Sequence, residues 1–172
     1  LQSDRITALA GEVTQKHYRP YEKATAIQTY LTSHYRYSLD APLAEQHQPL
    51  EEFLFARKTG YCEHYATAMV IMLRTVGVPA RLVTGFMATE WNEYGHYYVV
   101  RQQDAHAWVE VYLPHSGWIR MDPTPTEDNP PAGGPVWKVL GPIVDNIKLQ
   151  WNRLFVQYSA ADQLAVVREL KA

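Results

Sequence analysis

A chain of 172 residues, 47% of them hydrophobic, is long enough to bury one core, and no compositional break divides it, so residues 1–172 read as a single domain. With 16 basic and 18 acidic side chains the formal net charge is −2, and no basic cluster offers a footprint for nucleic acid. The longest uncharged apolar run, Tyr65 to Leu73, is too short to span a bilayer, LQSDRI has no signal-peptide pattern, and the lone Cys62 permits no internal disulfide.

In chain order, Tyr21, Ala24, Ile27, Leu31 and Tyr35 recur at helical spacing. Pro49 followed by LEEFLFARKTG predicts a short helix with acidic residues in its first turn. The run GYCEHYATAMVIMLRTVG leads a glycine-containing loop into a helix. Ala66, Met69, Val70 and Leu73 mark one face of it, and Ala68, Ile71 and Met72 make the rest apolar, which predicts a buried helix. Gly77 suits a left-handed cap, and Pro79 stops continuation. Four β-type runs follow: ARLVTGFMA, HYYVVRQ, HAWVEVYL and GWIRMD. They predict an antiparallel sheet, with the short LPHSGW connection making a hairpin that sets His106 beside Asp122. The stretch PTPTEDNPPAGGP reads as an extended surface connection. After it Pro142 can open a helix with Ile147, Trp151, Leu154 and Tyr158 on one face, and Ser159 with Asp162 resembles a capping box for a last helix carrying Leu164, Val167 and Leu170. Helices, then strands, then helices make the fold class α+β.

An unpaired cysteine ordinarily packs as a small hydrophobe. Cys62, however, falls at a loop-to-helix junction, where free backbone N–H groups and the helix dipole favour a thiolate. Acyl transfer from an amide needs that thiolate, a group that moves a proton, and a group that orients it. Cys62, His106 and Asp122 supply the three in that order along the chain. The N–H of Cys62 can donate to a developing oxyanion. Tyr61 and Trp91 are candidates for a second donor, and with Tyr98 and Trp108 they are candidates for a substrate groove rich in Trp and Tyr. Asp104, two residues before His106 on an alternating strand, shares the face of His106 and competes with Asp122 as its orienter, and Asp122 is preferred because a hairpin neighbour can approach the ring end-on. His17, His34 and His47 read as surface residues. His64, with Cys62, His96 and His106, does not match the recurring Cys/His spacings of structural zinc, so no metal or cofactor is expected.

These motifs resemble the transglutaminase-like superfamily, most closely the extracytoplasmic domain of bacterial TgpA-type membrane proteins. The resemblance spans about Leu50 to Thr124: Gly60, Cys62 and Ala66 in a G-x-C-x-x-x-A pattern, then GVPARLVTG, DAHAWVEVY and GWIRMDPTP. It implies a papain-like α+β core and a Cys62–His106–Asp122 triad. It also implies a periplasmic location in an inner-membrane protein. Trp151, Asn152, Arg153, Tyr158 and Gln163 resemble the segment that in this family precedes a further transmembrane helix. The implied activity is protein-glutamine γ-glutamyl transfer through a thioester on Cys62, with a glutamine-containing protein or peptide and an amine such as lysine as partners. Two alternatives stay open at this point: a hydrolase, peptidase or deamidase, in which water takes the acyl group, and a non-catalytic binding module on the same fold.

Overall fold

The computed structural model describes residues 3–40, 49–125 and 135–151. They fall into two compact units, one built from 1–87 with 101–128, the other from 88–100 with 129–172.

In the first unit, helices α1 (Asp4–Thr14) and α2 (Pro20–His34) precede a short strand β1 (Arg36–Tyr37). Pro20 opens α2 with its fixed φ, and Glu22 accepts the Arg19 N–H at 3.2 Å. The predicted face is buried at Ala24, Ile27 and Leu31, whereas Tyr21 is exposed and Tyr35 lies just beyond the helix, buried in the core. The segment after Pro49 is only briefly α-helical: α3 (Pro49–Glu51) passes into a π-helix (Glu52–Arg57), closed by an Arg57–Glu52 ion pair and by Lys58 in the left-handed region at φ 53°. The Tyr35 hydroxyl donates to the Leu54 carbonyl at 3.0 Å, and its burial keeps the phenol protonated far above the usual tyrosine range. Strand β2 (Thr59–Gly60) then pairs in parallel with β1.

Helix α4 (Cys62–Thr75) is the centre of the core. Tyr65, Ala66, Ala68, Met69, Val70, Met72 and Leu73 are all buried, as its sequence predicts. It ends in a Schellman turn: Val78 N–H bonds to Leu73 O at 2.9 Å and Gly77 N–H to Arg74 O at 3.2 Å, with Gly77 at φ 78°. The chain returns as β3 (Ala80–Phe86) in a sheet ordered β3-β6-β7, where β6 is Ala105–Leu113 and β7 is Gly117–Met121. Both pairings are antiparallel, and Ala107, Val109 and Val111 turn one face of β6 into the core. An α+β core with an antiparallel sheet and a helix beginning at Cys62 is therefore observed.

The HYYVVRQ run is not part of that sheet. In the second unit β5 (Tyr97–Val99) pairs only with β4 (Glu90–Asn92), a strand that the propensity pattern does not single out. The hub of this unit is Asn92, fully buried: its Oδ1 accepts the N–H groups of Tyr94 and Gly95, both at 3.0 Å, and its Nδ2 donates to Tyr97 Oη at 3.1 Å and to Pro142 O at 2.8 Å. Pro142 does not open a helix. It lies inside α5 (Pro135–Trp151), whose Ile147 and Trp151 are 62% and 60% exposed rather than on a buried face. Leu154, Tyr158 and the expected last helix lie outside the described residues, as does most of the Pro/Gly-rich connection.

Candidate active site

The loop that delivers Cys62 is fixed before the helix begins. Ser38 N–H donates to Gly60 O at 2.9 Å in the β1–β2 ladder, and Gly60 is buried against His64 and Phe53. A Cβ at Gly60 would lie 2.9 Å from His64 and 3.0 Å from Phe53, so the position demands glycine for close approach. His64 Nδ1 accepts the Tyr61 N–H at 3.3 Å. Burial holds His64 protonation below the usual histidine range, opposed in part by Glu63, which leaves the neutral ring that such an acceptor requires. This is a helix-start role. Among the described residues no group of three His, Cys, Asp or Glu side chains could hold a metal ion. Cys62 itself is half-buried at the first position of α4, against the core.

His106 and Asp122 meet directly, Nε2 to Oδ2, at 2.6 Å. The hairpin explains how: with Val109 opposite Met121, the residue facing Asp122 is Trp108, and His106 is its diagonal neighbour on the same sheet face. Asp122 is held on three further sides. Its Oδ1 accepts the Thr124 N–H at 3.0 Å, its backbone carbonyl accepts Gln28 Nε2 from α2 at 2.8 Å, and Arg120 lies 3.9 Å from Oδ2. Asp104 is not an alternative partner. It belongs to a 3₁₀ turn (Gln102–Asp104) ahead of β6, and its carboxylate accepts the Arg101 N–H at 2.6 Å. Strand alternation does not reach it.

With Nε2 engaged by Asp122, Nδ1 is the ring atom left for proton transfer. Cys62 heads α4, and His106 lies near the start of β6, a strand that packs against that helix. Cys62 hydrogen-bonds neither His106 nor Asp122, and contacts of this kind often tighten only when substrate is bound.

The four groove candidates divide between the units. Tyr61 packs edge-on against His64 at 4.3 Å, and the Trp108 ring lies nearly parallel to His106 at 6.3 Å. Trp91 and Tyr98 form a T-shaped pair at 4.9 Å in the second unit, both more than 40% exposed. His34 is exposed and stacks on Tyr30, His17 is half-buried, and His47 lies outside the described residues. Motif reading missed Gln28, Thr124 and Arg120. Thr124 and Arg120 flank Asp122 closely enough to have been suspected; Gln28 lies 94 residues away in sequence and left no signal.

A model of the transglutaminase-like superfamily matches residues 7–123, which include Cys62, His106 and Asp122. The chain is 42% identical over 121 residues to a protein-glutamine gamma-glutamyltransferase of Pseudomonas aeruginosa, and 37% identical over 134 residues to the uncharacterised protein YebA of Bacillus subtilis. The matches cover 70% and 74% of this chain but only 18% of either relative. Among solved structures, the periplasmic domain of TgpA from Pseudomonas aeruginosa superposes with a TM-score of 0.66 at 40% identity, covering 72% of this chain and 43% of that one. That match supports a periplasmic, membrane-anchored location; no helix among the described residues is itself long and apolar enough to cross a membrane. A helix headed by the only cysteine, packed on an antiparallel sheet whose central strand carries His106 bonded to Asp122 just beyond the neighbouring strand, is thus matched both in sequence and in fold, and the chain belongs to the transglutaminase-like superfamily.

Proposed function

We propose that this domain is a cysteine acyltransferase that takes the γ-glutamyl group of a glutamine side chain in a protein or peptide and passes it to a primary amine. The observation that carries this reading is the 2.6 Å contact of Asp122 with His106, which lies on the strand that α4 packs against, with Cys62 at the head of that helix. The name of the Pseudomonas relative points to the same chemistry.

In this mechanism the Cys62 thiolate attacks the carboxamide carbon and the carbonyl electrons move to oxygen, where the Cys62 N–H can donate. Collapse of the adduct breaks the C–N bond, and His106, as imidazolium, gives its Nδ1 proton to the leaving ammonia. Asp122 fixes the ring through Nε2 and supports its positive charge. The acceptor amine then attacks the thioester, His106 takes its proton, and thiolate departs. Water in place of the amine yields glutamate by the same steps, so the nucleophile does not by itself decide the acceptor.

The test combines a glutamine peptide with a labelled primary amine, product analysis, and intact mass of the trapped acyl-enzyme. Amine incorporation together with an adduct that disappears in Cys62→Ala supports transfer. Glutamate or cleaved peptide alone at every amine concentration makes the domain a hydrolase, and turnover by a folded Cys62→Ala variant removes the cysteine mechanism.

A further inference from the structure

Strand β3 forms one edge of the sheet, and its hydrogen bonds show which of its backbone groups face outward. Its register with β6 runs unbroken from Ala80 opposite Val111 to Phe86 opposite Ala105. Just beyond the two ends, the Met87 N–H donates to Asp104 O at 2.8 Å and the Tyr112 N–H to Pro79 O at 2.9 Å, so the odd-numbered residues of β3 bond to β6. The N–H and C=O groups of Ala80, Leu82, Thr84 and Phe86 therefore point away from the sheet. The Ala80 carbonyl accepts Arg74 Nε at 2.8 Å, whereas Leu82, Thr84 and Phe86 have no partner on that side among the described residues. All three are exposed. The devices that usually close an edge are missing: β3 has no proline and no bulge, and its one charged side chain, Arg81, is drawn back across the sheet to Glu110 on β6 by contacts of 2.7 and 2.6 Å.

We propose that the edge of β3 is the docking site of the acyl donor, where an extended segment of the donor protein or peptide adds as a further strand and bonds to Leu82, Thr84 and Phe86. The inference rests on the acyl-transfer reading for the identity of that donor. Backbone N–H and C=O groups repeating every second residue, about 6.7 Å apart, match an extended polypeptide and no compact ligand. The place of the edge in the fold says which side chain the segment carries. Gly85, the only residue of β3 without a side chain, is the register partner of His106, and a Cβ there would lie 2.8 Å from the Trp108 indole. Residues paired across strands share one face of the sheet, so the residue of the added strand opposite Gly85 directs its side chain toward Trp108 and His106 with no β3 side chain between. His106 lies two strand spacings, about 10 Å, from the added backbone, a gap that a glutamine side chain and the imidazole close from either side. The residues flanking that glutamine fall on the other face, where Phe86 stands one position away and Leu82 three, 58% and 39% exposed. Apolar residues are favoured there.

The experiment measures amide hydrogen exchange in Cys62→Ala protein, alone and with capped heptapeptides bearing one central glutamine, flanked in one series by valine and leucine and in another by serine. In the free protein the amides of Leu82, Thr84 and Phe86 should exchange fast, and those of Arg81, Val83 and Gly85 slowly. The apolar-flanked peptides are expected to slow the first three by about tenfold or more. N-methylation along the peptide should weaken binding about tenfold at positions whose N–H faces β3, and by less than about twofold at the positions between. Thr84→Pro removes an outward N–H and no bond to β6, so its circular dichroism should match the parent while peptide binding falls about tenfold. Should that variant not fold, the N-methyl series on the Thr84 protein decides alone. Peptide binding without protection of Leu82, Thr84 and Phe86 overturns the inference, as does a panel in which nothing binds, an N-methyl series without alternation, or a folded Thr84→Pro protein that binds like the parent. Protection that appears without peptide and grows with protein concentration also overturns it, giving the edge to a second copy of the chain. None of these outcomes touches the acyl-transfer chemistry, which fails separately if amine is not incorporated or if folded Cys62→Ala protein turns over substrate.

Discussion

Asp122 and Asp104 are both within reach of His106 on sequence grounds but have different work in the structure, and Asn substitution separates them. Asp122→Asn would keep the size of the side chain, lose the charge that supports an imidazolium, and offer an N–H where His106 Nε2 needs an acceptor. In the serine-protease case the corresponding change costs about 10⁴ in turnover; a Cys–His pair can rest as an ion pair, so Asp122→Asn here should cost on the order of 10² in kcat/KM. Asp104→Asn should leave turnover within about twofold, because an amide oxygen can still accept from Arg101 N–H in the turn. Circular dichroism on both variants checks that folding is equal. His64 gives a second residue-level prediction. Its protonation is depressed in the folded chain, so stability is unaffected while both states are neutral and falls as pH drops through the ordinary value of 6.5, where only the unfolded chain gains the proton readily. Urea midpoints at about pH 7.5 and about pH 5 should therefore separate more in the parent than in His64→Gln. An equal separation in the two would show that His64 is not what the acid limb reports. The choice of Asp122 was legible because a short hairpin connection dictates its neighbours. The position of Arg120 over Trp108 was not, because strand register alone would have paired that arginine with Glu110.

At the level of elements, α4 carries the strongest expectation, since nothing but burial suits a helix that is apolar on every side. Met69→Ala, at a position with no exposure, should cost about 2–5 kcal/mol by lost transfer energy and a residual cavity, readable as a fall in the denaturation midpoint. Gly60→Ala has a different signature. It forces a methyl group toward His64 and Phe53, and since the same loop ends at Cys62, the cost should appear in turnover as well as in stability, the latter by about 1–3 kcal/mol. A Gly60→Ala protein with normal stability and normal turnover would show that the loop yields freely. The strand runs illustrate what local pattern decides and what it leaves undecided. HYYVVRQ has the composition of a sheet strand, and it is a strand, but composition cannot say which partner it takes, and its residues pair with Glu90–Asn92 rather than with β6. Pro142 was misleading for a related reason. Proline is favoured at a helix start, but that preference does not fix the start, and here Pro142 lies inside α5.

For the molecule as a whole, Asn92 shows that the second unit is organised by one buried polar side chain as much as by apolar packing. Asn92→Ala would leave the N–H groups of Tyr94 and Gly95 and the Pro142 carbonyl without their partner, a loss on the order of 2 kcal/mol or more. Amide exchange should accelerate in 90–99 and near Pro142, with α4, which bonds to none of these groups, as the internal reference. Unchanged protection there would assign the organisation of that unit to other contacts. The Gln28–Asp122 bond bears on where a minimal domain can be cut. The motifs around Cys62, His106 and Asp122 lie between about Leu50 and Thr124, so a fragment with those limits would keep all three. It would lack Ile6, Ile27 and Leu31, each fully or almost fully buried, and at about 1.5–3 kcal/mol apiece their loss is comparable to the entire stability of an ordinary domain. It would also release the Asp122 carbonyl from its tether to α2, so that the acid of the site would depend on a helix that carries none of the motif. Expression trials should therefore begin upstream of Asp4, and a gene fragment trimmed to the motifs is expected to give aggregated or inactive protein, however faithfully it preserves Cys62, His106 and Asp122.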